Sequence, residues 1–364
     1  MALWSSSRRI PINYFGDGSD GSYTTTGNVS HAVSQIGGSA YDGDILLKQY
    51  KNLTISSGHI MTTSQPCRGM FIYVSGNCII DGTLTMSSRG AFSGNPASVT
   101  NSSDGNSVGA SGLQIGMKTS GGSDTFTADG TSFNGCGSSI RTAYANQPNL
   151  EGDGTIWTVP RIGGAGGAGN DSQGYGQRAN VGGTLSNGTG GGGAGAGHNV
   201  SSYVAYGGDG TAGTCFSGGT GGGGGGDSST STTLKDAVPY GGAGGNGDGW
   251  HGGSGAGNPG GTPSYSHSPY EGEDGTGGLL ILVVGGTLSG TGTIAADGND
   301  GGDGHASTFG GAGAGSGAGK IICLYVKKTF SGTMSVAGGL GGDAWSDGGH
   351  GGAGDIDDAQ VLFI

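Results

Sequence analysis

GGAGAGSGAG (310–319) is one of eight glycine-dominated tracts that decide which folds this chain can adopt. The other seven are GGAGGAG (163–169), TGGGGAGAG (189–197), GGTGGGGGG (218–226), GGAGGNGDG (241–249), GGSGAGNPGG (252–261), GGDG (301–304) and GGHGGAG (348–354). The chain has 92 glycines among 364 residues, and a glycine in an ordered element costs roughly 0.5–1 kcal/mol relative to alanine. A specific packing arrangement must therefore offset this cost.

Glycine-rich tracts such as these can adopt four kinds of structure. A flexible Gly/Ser linker is one, and collagen is another, but collagen needs a strict Gly-X-Y period and much proline. A calcium-loaded β-roll needs GGxGxDxUx, and GGNGDGW (244–250) places its aspartate one position early. We favour polyglycine II helices, which are threefold and rise about 3.1 Å per residue. Without Cβ atoms, such helices can hydrogen-bond sideways and satisfy buried backbone groups.

The segments that flank the glycine block predict short β-strands. Residues 46–90 contain ILLKQY, NLTI, HIMTT, MFIYV, NCII and GTLTM, separated by SG, SGN and DG turns. This spacing is too short for βαβ units and is typical of β-helix rungs or a compact sandwich. No long amphipathic period is visible, so we expect an all-β or irregular fold with almost no α-helix.

A repeat links the early strands to the end of the chain. MFIYVSGNCIIDGTLTMSSRG (70–90) is similar to LLILVVGGTLSGTGTIAADG (279–298) and to IICLYVKKTFSGTMSVAGG (321–339), and the last two start 42 residues apart. A further strand is predicted at AQVLFI (359–364). We expect one β core from the early and late strands, with the glycine block inserted or laid against it; two independent domains are the alternative.

Four regions follow from these patterns. They are an N-terminal β region (1–90), a Ser/Gly/Asn-rich excursion (91–160), a glycine-rich block with loops (161–275) and β repeats with glycine tracts that pack with the N-terminal region (276–364).

Composition excludes several classes of function. The net charge of −12 argues against binding nucleic acid, and the longest apolar run, Leu279 to Val284, is too short to span a membrane. The start has no apolar secretory segment, and the five cysteines have no metal-binding spacing, so buried thiols are expected. A virion component, assembled in a host cytoplasm and active outside the cell, is consistent with these features. A recombinant or processed fragment is the alternative.

NYFGDGSDG (13–21), KNLTISSGHIMTT (51–63) and FIYVSGNCIIDGTLTM (71–86), followed by glycine tracts, resemble glycine-rich tail-fibre and tail-tip proteins of bacteriophages. The tracts within 163–354 are more loosely similar to the adhesins at the tips of T-even-like long tail fibres. That resemblance implies a polyglycine II sandwich whose variable loops contact the bacterial surface. The extra β repeats depart from the adhesin pattern, so a tip, a shaft and a capsid decoration all remain open.

Aromatic residues between the tracts are the candidate receptor-binding residues. Aromatic faces stack on sugar rings and supply contact area at little cost in entropy. His198 and Asp274 are candidate polar companions, and the alternative is that the aromatics only cap a glycine lattice. The candidates are Tyr203, Tyr206, Tyr240, Trp250, Tyr265, His267, Tyr270 and Trp345.

Other chemistry has weaker support in the sequence. Asp17 and Asp20 could bind calcium, but their loop lacks the spaced ligands and terminal glutamate of an EF-hand, and a tight turn is the other interpretation. Glu151 with Asp153, and the group 271–274, are the acidic groups that could serve a glycosidase. The seven histidines are dispersed. We expect no cofactor and no catalysis.

We therefore expect a non-enzymatic adhesin in the virion, whose partners are a bacterial surface glycan or outer-membrane protein and other virion proteins. Several copies, expected as a homotrimer, would add avidity. The alternatives are a purely structural capsid or fibre protein, a polysaccharide depolymerase, and an ice-binding protein with regular threonine or alanine rows.

Overall fold

The described part of the chain is all β. A computed structural model describes residues 14–35, 43–67, 69–90, 256, 273, 275–304, 312–313, 315–343 and 350–361. Within these ranges there are strands and no helix, which confirms the expectation of a mostly β fold. The strands are β1 (Ser22–Thr24), β2 (Val29–His31), β3 (Leu46–Tyr50), β4 (Asn52–Ile55), β5 (Ile60–Thr63), β6 (Met70–Val74), β7 (Cys78–Ile80), β8 (Thr83–Thr85), β9 (Leu279–Ser289), β10 (Thr293–Ala295), β11 (Lys320–Lys328), β12 (Thr333–Ser335) and β13 (Asp355–Gln360).

The strands form two parallel sheets. The first, sheet A, has the order β1-β4-β7-β9-β11-β13, with β3 and β6 paired beside β9. The second, sheet B, has the order β12-β10-β8-β5-β2. Each turn of the chain adds to sheet A and then to sheet B, and we call such a turn a rung. Rungs 1 to 5 end with β2, β5, β8, β10 and β12, and β13 begins rung 6.

The early and late strands belong to the same sheets. Met70 of β6 pairs with Leu280 of β9, and Thr83 of β8 pairs with Thr293 of β10. Residues 91–275 are therefore inserted between rung 3 and rung 4. Parallel pairing across so long an insertion makes the early and the late strands part of one hydrophobic core.

That core lies between the two sheets, and a second cluster lies on the outer face of sheet A. β9 and β11 are buried on both faces, which explains their continuous apolar sequences. The core includes Leu53, Ile55, Met61, Ile72, Ile80, Leu84, Leu282, Ile294 and Ile321. The outer cluster contains Phe71, Leu279, Ile281, Val283, Ile322 and Leu324, with Tyr14 and Phe15 packed against it.

The register between rungs 4 and 5 differs from the offset of 42 in the sequence repeat. Leu280 pairs with Ile321, an offset of 41 residues, whereas Thr293 pairs with Thr333, an offset of 40. The change occurs at an irregularity between Tyr325 and Lys327. A bulge adds one residue to one strand of a pair, so no single offset describes both halves of the rung.

The last strand also differs from the predicted one. β13 covers DIDDAQ (355–360) and starts four residues before the predicted AQVLFI segment, whose last three residues lie outside the described ranges. Three aspartates are unfavourable in a strand. Here Lys320 and Lys328 of the neighbouring β11 form ion pairs with them, so the acidic sequence pairs in register.

Glycine-rich rows project from each late rung. Row I is 297–304, row II is 312–319 without residue 314, row III is 337–343 and row IV is 350–354. Their backbones hydrogen-bond sideways at every third residue. From row I to row III, the N–H groups of Gly298, Gly301 and Gly304 donate to the carbonyls of Ala337, Leu340 and Asp343 at 2.8–2.9 Å. From row III to row II, Gly339 donates to Ser316 and Gly342 to Gly313, both at 2.9 Å.

The described cysteines are buried, as the sequence suggests. Cys67, Cys78 and Cys323 lie in the core, and no disulfide joins them. Burial raises the pKa of Cys323 to about 12 and raises the pKa of Cys78 as well. Because the thiolate is the reactive form, both thiols should be inert in the folded protein.

We expect iodoacetamide at pH 8 to leave Cys78 and Cys323 unmodified in the native protein and to modify both in guanidinium chloride. Peptide mass spectrometry measures each site separately. Rapid modification of either thiol without denaturant would show that the sheets open, contrary to their burial.

Candidate functional site

The predicted receptor-binding residues all lie outside the described ranges. Seven of them belong to the insertion at 91–275, and Trp345 lies in the connection between rows III and IV. His198, Asp274, Glu151, Asp153 and Glu271 also lie outside. What the structure shows is how the insertion is joined to the sheets.

The two ends of the insertion meet at one point. The N–H of Gly90 donates to the carbonyl of Thr276 at 2.8 Å, and the Ser316 hydroxyl donates to the carbonyl of Gly275 at 2.9 Å. Gly275 has a φ of +122°, and a Cβ there would lie 2.6 Å from the Cα of Ser88. Only glycine is compatible with this backbone. The insertion therefore starts and ends at neighbouring backbone positions of the scaffold.

The GDGSDG loop (16–21) closes the edge of β3. The N–H of Asp20 donates to the carbonyl of Gln49 at 2.8 Å, and the N–H of Gln49 donates back to the Asp20 carboxylate at 2.6 Å. Lys48 lies 3.5 Å from the other carboxylate oxygen of Asp20. Asp17 accepts the N–H of Ser19 at 2.8 Å. Hydrogen bonds from the Ser19 side chain and, to a smaller extent, from its backbone hold the pKa of Asp17 below the ordinary value. Both carboxylates thus contact protein donors.

Other ionisable side chains do not converge in the described part of the chain. Glu273 is exposed and accepts the N–H of Asp300 at 3.4 Å. His59 contacts the Thr25 hydroxyl at 2.9 Å, whereas His350 accepts the N–H of Gly341 at 2.9 Å. Within the described ranges no group of three His, Cys, Asp or Glu side chains could hold a metal ion, and no helix is long and apolar enough to cross a membrane.

The outward face of sheet B carries a regular array of hydroxyls, which the sequence analysis did not single out. Side chains alternate along a strand, and Met61, Leu84 and Ile294 point into the core. Their neighbours point outward in two columns that follow the strand pairing. The first column is Ile60, Thr83, Thr293 and Thr333. The second is Ser30, Thr62, Thr85, Ala295 and Ser335, of which Ala295 is only 5% exposed and the Thr62 hydroxyl oxygen is buried. We call these nine residues the hydroxyl face.

The two columns differ in hydrogen bonding. In the second column, Thr85 accepts the N–H of Ser87 at 2.9 Å, and Ser335 donates to Asp297 at 2.6 Å. In the first column, the hydroxyls of the three threonines make no hydrogen bond to any described residue. The repeated sequence GTLT (82–85), GTIA (292–295) and GTMS (332–335) is the signal that could have located this face.

Comparison with known proteins gives no match: no family model, no curated protein and no solved structure is significantly similar to the chain.

One half-buried histidine is expected to make the stability of the scaffold depend on pH. His31 lies in rung 1, with Nε2 3.4 Å from the Tyr50 hydroxyl. Burial lowers the pKa of His31, and the positive charge of Lys48 lowers it further, against a smaller opposing effect of Asp20. The folded state therefore favours neutral imidazole.

We expect the free energy of unfolding to fall as pH drops below about 6.5, the usual histidine pKa, because the unfolded chain then binds the proton more readily than the folded chain. The contribution of His31 is full above that pH and is lost as pH falls through the lowered folded value. Urea unfolding at pH 7.5, 6.5 and 5.5 measures it, compared with His31→Gln. A wild-type minus variant difference that does not change with pH would contradict this.

Proposed function

We propose that this chain is a bacteriophage tail-fibre or tail-tip protein that attaches the virion to a host surface without catalysis. The observation that supports it best is the junction of the insertion, where Gly90 and Thr276 are hydrogen-bonded neighbours. A rigid stack of parallel rungs thus holds a long, aromatic-containing insertion by two adjacent backbone positions. Such an arrangement suits the display of binding loops on a scaffold.

The scaffold is proposed to combine a β-helix-like stack with a polyglycine II lattice. Sideways hydrogen bonds at every third residue of rows I to IV match the threefold period of such helices. Backbones approach so closely that a Cβ on Gly339 would lie 1.7 Å from the carbonyl oxygen of Asn299. Ala256, in the tract at 252–261 of the insertion, is fully buried, as a residue inside such a lattice would be.

Binding is assigned to the aromatic residues of the connecting loops, including Tyr265, Tyr270 and Trp345. Sugar rings or the exposed side chains of an outer-membrane protein would stack on them. Copies assembled as a trimer would raise the strength of attachment through effective concentration. Rigidity of the scaffold would limit the entropy lost on binding.

The test is to measure binding of the purified full-length protein to intact host cells and to their extracted surface polysaccharide. Reducing ends are assayed in the same tube. We expect saturable binding without new reducing ends. New reducing ends that disappear in a Glu271→Gln/Glu273→Gln variant would instead identify a depolymerase.

Two alanine variants test the assignment of the loops. Tyr265→Ala/Tyr270→Ala should weaken adsorption to cells at least tenfold, whereas Tyr23→Ala, on β1 of the scaffold, should not affect the affinity of the folded protein. Adsorption that is the same in the loop variant and the wild type would refute the assignment.

A further inference from the structure

We propose that the hydroxyl face of sheet B is a second binding site, which takes an extended, uncharged glycan chain lying across the rungs. The proposal rests on the proposed function, because it gives the same protein a second contact with surface glycans. It concerns only described residues and does not involve the loops of the insertion.

The threonine hydroxyls of the first column repeat at a regular spacing. Thr83, Thr293 and Thr333 pair directly in register in three consecutive rungs, so their hydroxyls repeat at the strand spacing of about 4.7–4.9 Å. An extended β-1,4-linked hexose chain advances by about one such spacing per sugar. Successive sugars of a chain laid along the first column would therefore meet equivalent threonines, with Ile60 at the next position.

The second step is chemical complementarity. A threonine hydroxyl is both a donor and an acceptor, as is a sugar hydroxyl. The methyl groups of the column, together with Ile60 at 41% exposure, offer apolar surface to the C–H faces of the sugars. The three threonine hydroxyls have no described partner and can bond to a ligand without breaking a bond inside the scaffold.

The third step is charge. None of the nine residues of the hydroxyl face is ionisable, and Asp297 at the edge of the face accepts a hydrogen bond from Ser335. The chain has a net charge of −12, which disfavours acidic polysaccharides. These observations favour a neutral glycan.

The fourth step is rigidity. Threonine is β-branched and restricted at χ1. The strands β5, β8 and β10 pair with a parallel neighbour on both sides, and the edge strands β2 and β12 pair on one side. Little side-chain freedom is therefore lost when a ligand binds.

The experiment is calorimetric titration of the full-length protein with cellohexaose, and with hexagalacturonate as an acidic probe. Thr83→Val/Thr293→Val/Thr333→Val removes the hydroxyls and keeps the β-branched shape. A matched control, Thr24→Val/Thr26→Val/Thr291→Val, removes three exposed hydroxyls elsewhere. We expect the wild type and the control to bind cellohexaose within twofold of each other and more tightly than hexagalacturonate. The first triple variant should bind at least tenfold more weakly.

Three results would overturn the proposal: no binding of cellohexaose by the wild type, equal binding by the first triple variant, or preference for the acidic probe. Freezing-point hysteresis that this variant loses, without glycan binding, would assign the face to ordered water instead. Cell adsorption measured in parallel separates the two proposals. Adsorption to cells without cellohexaose binding would support the adhesin function and refute the glycan site on the hydroxyl face. Cellohexaose binding without adsorption would support that site and refute the adhesin function.

Discussion

Gly339→Ala is expected to destabilise the protein by about 3 kcal/mol or more, at the upper end of the cost of overpacking a core. Its Cβ would lie 1.7 Å from the carbonyl oxygen of Asn299 and 2.2 Å from the carbonyl carbon. Both neighbours are backbone atoms that row contacts hold in place, since Gly339 itself donates to Ser316 and accepts from Gly351. The clash cannot be relieved by rotating a side chain. Urea unfolding, followed by the signal of β-structure, measures the loss.

The matched control is Gly27→Ala. A Cβ on Gly27 would have no atom within 4 Å, and its φ lies outside the left-handed region. Because alanine restricts the unfolded chain, this change should leave stability unaltered or raise it by roughly 0.4–1 kcal/mol. Equal, small effects of the two substitutions would mean that the rows are not packed as described.

Asp355→Asn/Asp357→Asn is expected to cost about 3–5 kcal/mol, the usual result of leaving a buried charge without its partner. The Lys320 side chain is 3% exposed and forms ion pairs with both aspartates, at 2.7 Å in the case of Asp357. The aspartate side chains are 33% and 21% exposed and keep part of their hydration. The desolvation cost of this ion-pair cluster therefore falls mainly on the Lys320 ammonium group.

The opposite change distinguishes this explanation from simple loss of contacts. Lys320→Met removes the buried charge and leaves two carboxylates that water can reach, so it should cost much less than the double aspartate change. Adding Lys320→Met to the double variant should restore most of the lost stability. Urea midpoints of the four proteins form the test, and a triple variant no more stable than the double one would exclude the explanation.

Local sequence patterns predict most strands correctly. MFIYV (70–74) and LLILVV (279–284) are apolar runs of a length and composition typical of buried parallel strands, and both are strands. Which of them pair could not be read from such patterns, because the partners of β9 lie on the far side of the insertion. The sequence predicts the last strand too late, because the acidic sequence of β13 is unfavourable for a strand alone. Its stability depends on lysines that are distant in sequence.

Local sequence predicts the candidate binding residues less well than it predicts the strands. The aromatic candidates rest on their chemistry and on their position between glycine tracts, and they stay predictions. The hydroxyl face has the weak local signal GTLT, GTIA and GTMS, in which any one copy is an ordinary strand start. The face becomes recognisable only from the strand register, which places Thr83, Thr293 and Thr333 side by side. Register across an insertion is not encoded in any short window of sequence.

The pairing of rung 3 with rung 4 also has a consequence for synthesis on the ribosome. Rung 3 is complete once residue 90 has emerged, but its partners β9 and β10 are made only after residue 278. At roughly 5–20 residues per second, translation of the intervening segment takes on the order of 10–40 s. During that time β6, β7 and β8 present an unpaired edge, which is a template for pairing with other chains. We therefore expect the nascent N-terminal rungs to be exposed to mispairing until β9 has been made.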